Sequence, residues 1–194
     1  MKKVFTILFI TLYIAGIFTG CSEKTENGSV TSTDPQPQTQ KAKSSNSEKS
    51  NISERIIEPD ELISKTEAEQ LIGESLKAGE RKDTKAVGMK LCVYNAVKED
   101  TFKFLQVSIT QKTFMPDNGQ SPESIYKSIK DNYENAVVVE GIGNEAFIAP
   151  PGLHILNGTY YITIAIGNSD DEKNRETLKA AGKKAVENLN KLTK

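Results

Sequence analysis

The amino-acid sequence predicts an α+β domain, an antiparallel sheet of about six strands packed by three helices. Three observations carry this. Three segments open with helix-start chemistry and keep their apolar residues at helical spacing. The stretches between them are rich in β-formers and are broken by short glycine, asparagine or charged turns. Their order along the chain, α-β-β-α-β-β-β-β-α, puts successive strands where hairpins can join them.

The first helix starts at Ser64 in SKTEAEQLIGESL, with Glu67 three residues on. That spacing makes a capping box, in which each side chain satisfies the other residue's backbone N–H. Ala68, Leu71, Ile72, Ser75 and Leu76 then share one face. MKLCVYNAV and TFKFLQVSITQK follow as a hairpin turned at Lys98-Glu99-Asp100. In the second strand the apolar phase slips between Phe104 and Leu105, which calls for a bulge or for burial on both faces. The second helix takes Ser121 as N-cap and Pro122 at its first position, where the missing N–H costs nothing. Ile125, Ile129, Tyr133 and Ala136 form its buried stripe.

NAVVVEGIGNEAFIAP reads as two strands about a glycine turn at Gly141 to Gly143. LHILNGTYYITIAI reads as a type I′ hairpin on Asn157-Gly158. That turn pairs Ile155 with Tyr160 and His154 with Tyr161. It collects Leu153, Ile155, Tyr160, Ile162, Ile164 and Ile166 on one face, and His154, Leu156, Thr159, Tyr161, Thr163 and Ala165 on the other. The last helix, SDDEKNRETLKAAGKKAVENLNKL, opens on a Ser169–Glu172 capping box and lines Leu178, Ala181, Ala185, Leu189 and Leu192 along one side.

The domain occupies residues 59–194, and what precedes it reads as an address and a spacer. Lys2 and Lys3 form a cationic start, Val4 to Phe18 is almost wholly apolar, and Thr19 and Gly20 are small. This is the pattern of a secretory signal, residues 1–20, and the apolar run is shorter than the roughly 20 residues of a spanning helix. Phe18-Thr19-Gly20-Cys21 resembles the lipobox of bacterial lipoproteins, although Phe18 stands where leucine is usual. The resemblance implies cleavage between Gly20 and Cys21 and attachment of diacylglycerol to the Cys21 thiol. Two or more acyl chains anchor stably, since each buried CH₂ contributes about 0.8 kcal/mol. Residues 21–58 then form a lipidated cysteine and tether. Ser22 to Ser50 has no aromatic residue, and its only aliphatics are Val30 and Ala42. It is expected to stay disordered. As a flexible coil the tether reaches roughly 30–35 Å, and fully stretched about 120 Å.

Lysine and arginine number 25 and acids 26, so losing Lys2 and Lys3 moves the formal charge from −1 to about −3. No basic stripe marks a nucleic-acid surface. Acylation of Cys21 leaves Cys92 as the single thiol, which excludes an intramolecular disulfide. Cys92 alternates with Leu91 and Val93 and reads as a small buried hydrophobe.

Chemistry is sparse. His154 is the only histidine, so a zinc site or a nucleophile–histidine pair would have to use it without further His or Cys ligands. A cross-strand hydrogen bond or a solvated ring is the plainer reading. Gly141-Ile142-Gly143 lacks the third glycine of a dinucleotide loop, because Ala146 stands there and a strand follows. Asp170, Asp171 and Glu172 lack calcium-loop spacing and suit a helix start. The sequence nominates no catalytic residue, cofactor or metal.

AEQLIG at the end of the first helix, LCVY with Cys92 and Tyr94, and GIGNEAF from Gly141 to Phe147, with a closing hairpin and terminal helix, resemble small Gram-positive cell-envelope lipoproteins of unknown function. The resemblance runs roughly from Ser64 to Leu192 and implies a PsbP-like α/β/α sandwich at the extracytoplasmic membrane face. It implies no activity, and no disulfide carries over. The expected function is a non-catalytic binding module anchored in the membrane through its diacylglyceryl group, engaging an envelope protein or wall component. The alternative is a carrier or sensor of a small apolar ligand held between sheet and helices.

Overall fold

The computed structural model describes residues 55–194. The expected signal peptide, Gly20–Cys21 cleavage and Cys21 lipid site, and nearly all of the expected tether, lie outside the described residues.

The α+β class is as expected, with seven strands in place of six. Four helices, α1 (Pro59–Leu62), α2 (Lys65–Ile72), α3 (Pro122–Asp131) and α4 (Glu172–Leu192), accompany β1 (Glu80–Thr84), β2 (Met89–Asn95), β3 (Phe104–Thr110), β4 (Val137–Val138), β5 (Glu145–Ala149), β6 (Gly152–Asn157) and β7 (Tyr160–Ala165). The strands make one sheet in the order β1-β2-β3-β7-β6-β5-β4, and every pair is antiparallel. The unexpected strand is β1, whose ERKDT sequence is exposed along most of its length. An all-polar run carries no alternation to read, and only its place beside β2 makes it a strand.

Two apolar cores lie on opposite faces of the sheet. Leu153, Ile155, Ile162 and Ile164 of β6 and β7 join Leu105, Val107 and Ile109 of β3 beneath α1, α2 and α4. Phe147, Ala149, Leu156 and Tyr161 meet Tyr126 of α3 on the other side. The six residues expected on the first hairpin face all belong to the larger core. Ile125, Ile129, Tyr133 and Ala136 do flank the smaller core, but the fully buried α3 residue is Tyr126.

The β6–β7 register differs from the expected one by one step. Asn157 pairs with Tyr160, Ile155 with Ile162 and His154 with Thr163. The turn residues are therefore Gly158 and Thr159. Gly158 has φ +59°, and Thr159 is not among the positive-φ residues. This fits a glycine-first type II′ turn, because type I′ needs positive φ at both centres. Moving the turn by one residue shifts each cross-strand partner by two, so the faces survive unchanged.

Three other local expectations are refined. The connection between β2 and β3 is longer than Lys98-Glu99-Asp100, with Ala96 N–H donating to the Lys103 carbonyl at 2.9 Å. The Phe104–Leu105 phase slip is no bulge, since pairing with β2 runs unbroken from Met89↔Thr110 to Asn95↔Phe104. It marks the passage into a stretch where Val107, Ser108, Ile109 and Thr110 are all buried. At α4 the N-cap is Asp171, not Ser169, and its carboxylate accepts from Asn174 N–H at 2.9 Å. Ser64 and Ser121 cap α2 and α3 as their sequences imply.

The domain begins two residues before Pro59. Ile57 is wholly buried, its N–H donates to Gln111 Oε1 at 2.8 Å and its carbonyl accepts from Gln111 Nε2 at 2.7 Å. One buried amide thereby satisfies both polar groups of a buried backbone residue. Beside this clamp, Arg81 reaches both Asp60 carboxylate oxygens at 2.6 Å, and Lys90 bonds Asp83 at 2.7 Å while lying over the Phe114 ring.

Gln111→Leu strands both Ile57 groups in an apolar setting. At about 1–3 kcal/mol for a buried unsatisfied group, a loss of roughly 2–4 kcal/mol is expected in urea unfolding, with faster hydrogen exchange through α1. A loss below about 0.5 kcal/mol would refute the clamp.

Candidate functional site

Strands β5, β6 and β7, helix α3 and the turn after it bring together four aromatic residues and the lone histidine. His154 is 2% exposed. Its ring stacks on Phe147 of the adjacent strand, with centroids 4.6 Å apart and planes 6° apart. Tyr161 lies diagonally across β6–β7, not opposite as the expected register had it, yet its Oη is 2.7 Å from His154 Nδ1. Tyr126 closes the cluster from α3, 5.3 Å from Phe147 and 5.7 Å from Tyr161 between ring centroids. Tyr133 stands 6.4 Å from His154.

Electrostatics keep this cluster neutral. Burial pushes the His154 pKa below the usual histidine value, against the pull of the Pro150 and Ala149 carbonyls. Burial also raises Tyr161 and Tyr126 to about 12. A neutral tyrosine hydroxyl can donate or accept, so Tyr161 Oη and His154 Nδ1 share one hydrogen bond whichever ring nitrogen carries the proton. His154 Nε2 and the Tyr126 hydroxyl are both buried without a hydrogen-bond partner among the described residues. His154 is thus a hydrogen-bonded cross-strand histidine. It is sealed among the rings of Phe147, Tyr161 and Tyr133.

The nearest open space is a surface cleft of about 470 Å³. Tyr133, Ala149 and Pro150, which surround His154, form one side, and Ser169, Asp170 and Arg175 at the start of α4 form another. Arg175 Nε donates to the Ser169 carbonyl at 2.8 Å, and its guanidinium lies 3.6 Å from Asp170. Asn135 and Glu134 complete a lining that is largely polar. A second hollow of about 250 Å³ lies by Lys130, Val138 and Glu140. Val137 belongs to the first cleft and Val138 to the second, so both flank β4.

The other residues singled out in the sequence fall elsewhere. Cys92 is a free thiol, 1% exposed, and burial raises its pKa. A Cβ on Gly79 would run into its sulfur. Gly141 and Gly143 have φ +75° and +63° and turn the chain from β4 into β5. Asp171 caps α4, and Asp170 N–H donates to the Asn168 side chain at 3.0 Å. Among the described residues no His, Cys, Asp or Glu cluster of three or more is placed to hold a metal, and no helix is long and apolar enough to cross a membrane.

No family model, no curated protein and no solved structure matches this chain.

The aromatic cluster was only half visible in the sequence. His154 and Tyr161 were readable as hairpin partners. Phe147 was hidden because FIA has no alternation, and Tyr126 because it sits beside the α3 apolar stripe. Arg175 carried no signal at all, since it reaches the cleft from the polar face of a helix.

Two measurements follow from this geometry. His154 stays neutral when folded but binds a proton near pH 6.5 once unfolded, so the unfolded chain holds more protons below that pH. Stability is full above about pH 6.5 and declines as pH falls below it. His154→Phe is expected to flatten that decline in urea midpoints between about pH 6.5 and 5, and an unchanged slope would refute the buried neutral ring. At the glycine turn, Gly141→Ala meets no atom within 4 Å, whereas a Cβ at Gly143 would lie 2.6 Å from the Leu156 carbonyl oxygen. Strain alone costs about 1 kcal/mol at the first site. Gly143→Ala is expected to lose at least about 1 kcal/mol more in denaturant unfolding, and equal losses would contradict the close approach.

Proposed function

We propose that this protein is a lipid-anchored, extracytoplasmic binding module that engages an envelope protein or wall component without catalysing a reaction. The observation that carries the proposal is Phe18-Thr19-Gly20-Cys21 behind a cationic start and an apolar run. A thiol at that boundary has a chemical use as an acyl acceptor. The resemblance of AEQLIG, LCVY and GIGNEAF to Gram-positive envelope lipoproteins points to the same location. The burial of His154 supports a role without general acid–base chemistry, because a catalytic base must come within hydrogen-bond reach of the proton it takes.

The alternative role, carriage of a small ligand, is best served by the cleft beside Tyr133, because both faces of the sheet are filled by the chain's own side chains. Its lining of Asn132, Glu134, Asn135, Asp170 and Arg175 suits a polar ligand better than the apolar one expected from sequence.

Cys21→Ser removes the acyl acceptor. It is expected to move the protein from the membrane fraction into the medium or to leave its leader uncut, read by fractionation and by mass spectrometry of the amino-terminal peptide. An unmodified Cys21 in the native protein would end the proposal.

A further inference from the structure

The two edges of the sheet are built differently. The β1 edge exposes Glu80, Arg81, Lys82 and Asp83, and such mixed charge deters a foreign strand. The β4 edge exposes Val137 and Val138, at 44% and 67%. Val139 N–H donates to the Ala146 carbonyl at 2.9 Å, in the same register that pairs Val137 with Ile148 and Val138 with Phe147. Antiparallel strands alternate bonded and non-bonded pairs. The backbone groups of Val137 and Val139 therefore face β5, and the N–H and carbonyl of Val138 face outward.

Charge at this edge is unbalanced. Glu134 and Asp170 stand against Arg175 in the larger cleft, and Glu140 and Glu145 against Lys130 in the smaller. Lys130 is already paired with Glu145 at 2.9 Å. A second copy of β4 would set these acids against their own kind. A basic strand would neutralise them, and its alternate side chains would drop towards the two clefts.

We propose that the β4 edge is a strand-addition site for an extended, lysine- or arginine-bearing peptide segment of a partner protein, its backbone pairing with Val138 and its side chains alternating between the two clefts. The site deepens the binding-module reading and rests on it. The chain enters the domain at Ile57, clamped by Gln111 just past the end of β3, and β3 is four strands from β4 in the sheet order. At about 4.8 Å per strand, Ile57 itself stands roughly 20 Å from this edge.

The test is fluorescence anisotropy with the full-length purified chain in zwitterionic detergent. The probes are a labelled short peptide alternating lysine and valine, the same peptide methylated on alternate backbone nitrogens, and a glutamate–valine version. The lysine–valine peptide is expected to bind, and the other two to bind at least about tenfold more weakly, as loss of strand pairing or of charge complementarity dictates. Val138→Pro removes the outward N–H without taking a bond from β5, and it is expected to weaken binding by about tenfold or more. Charge reversal by Glu134→Lys with Glu140→Lys, which leaves the backbone alone, is expected to invert the preference between the lysine and glutamate peptides. Equal binding of the methylated peptide would reduce the effect to plain charge attraction and overturn the proposal. So would failure of the lysine–valine peptide to bind, or self-association of the chain that Val138→Pro abolishes. None of these outcomes bears on release by Cys21→Ser, so the edge and the anchor fail separately.

Discussion

Strands β6 and β7 must bury both of their faces at once, and the rest of the domain is arranged around that requirement. Leu153, Ile155, Ile162 and Ile164 point to the larger core, while His154, Leu156 and Tyr161 point to the smaller one. A slip by one residue would send His154 and Tyr161 into the aliphatic core and bring isoleucines against the Tyr126 hydroxyl. The register is held at both ends. Gly158 supplies the positive φ of the turn and donates its N–H to Asn144 Oδ1 at 2.6 Å. At the other end, Gly152 lies where a Cβ would collide with the backbone of Ile164. A domain with no disulfide within its described residues gains its order from such mutual exclusion between faces.

This two-face burial explains how the histidine can be isolated and still be tolerated. A buried polar ring needs partners or must stay neutral. Tyr161 satisfies Nδ1, Phe147 covers the ring by stacking, and burial keeps the remaining nitrogen uncharged. The unpartnered Nε2 and Tyr126 Oη are the residual cost of polar residues in a small aromatic core. Their position beneath α3, with the polar cleft just beyond Tyr133, is a property of the packing.

Where the sequence could be read, a periodic constraint acted locally. Ser64 with Glu67, and Ser121 with Pro122, mark helix starts because capping is decided within four residues. The hairpin faces were legible from alternation, and they survived an error in turn type because a one-step turn shift preserves strand parity. What stayed hidden depends on distant contacts. β1 is a strand only because β2 offers it an edge. Gln111 looks like a loop glutamine until Ile57, 54 residues earlier, is laid beside it. The choice of Asp171 over Ser169 as N-cap turned on a loop in which Asn168 and Arg175 occupy the neighbouring polar groups.

The asymmetry of the sheet edges follows from the same layout. α1 lies against β2 and β3, and Arg81 of β1 closes on Asp60 of α1. The side of the sheet where the chain enters is therefore tied down by the Ile57–Gln111 clamp and by ion pairs at its rim. Exposed pairs of that kind contribute little to stability, roughly 0–1 kcal/mol each. They do occupy the edge with charge of both signs, and that makes it unwelcoming to another strand. At the opposite side α3 and α4 lie on different faces, and β4, two residues long, leaves its outer backbone bare between them. The sheet thus ends differently on its two sides, closed by α1 and its ion pairs at β1 and finishing on the two residues of β4 at the other.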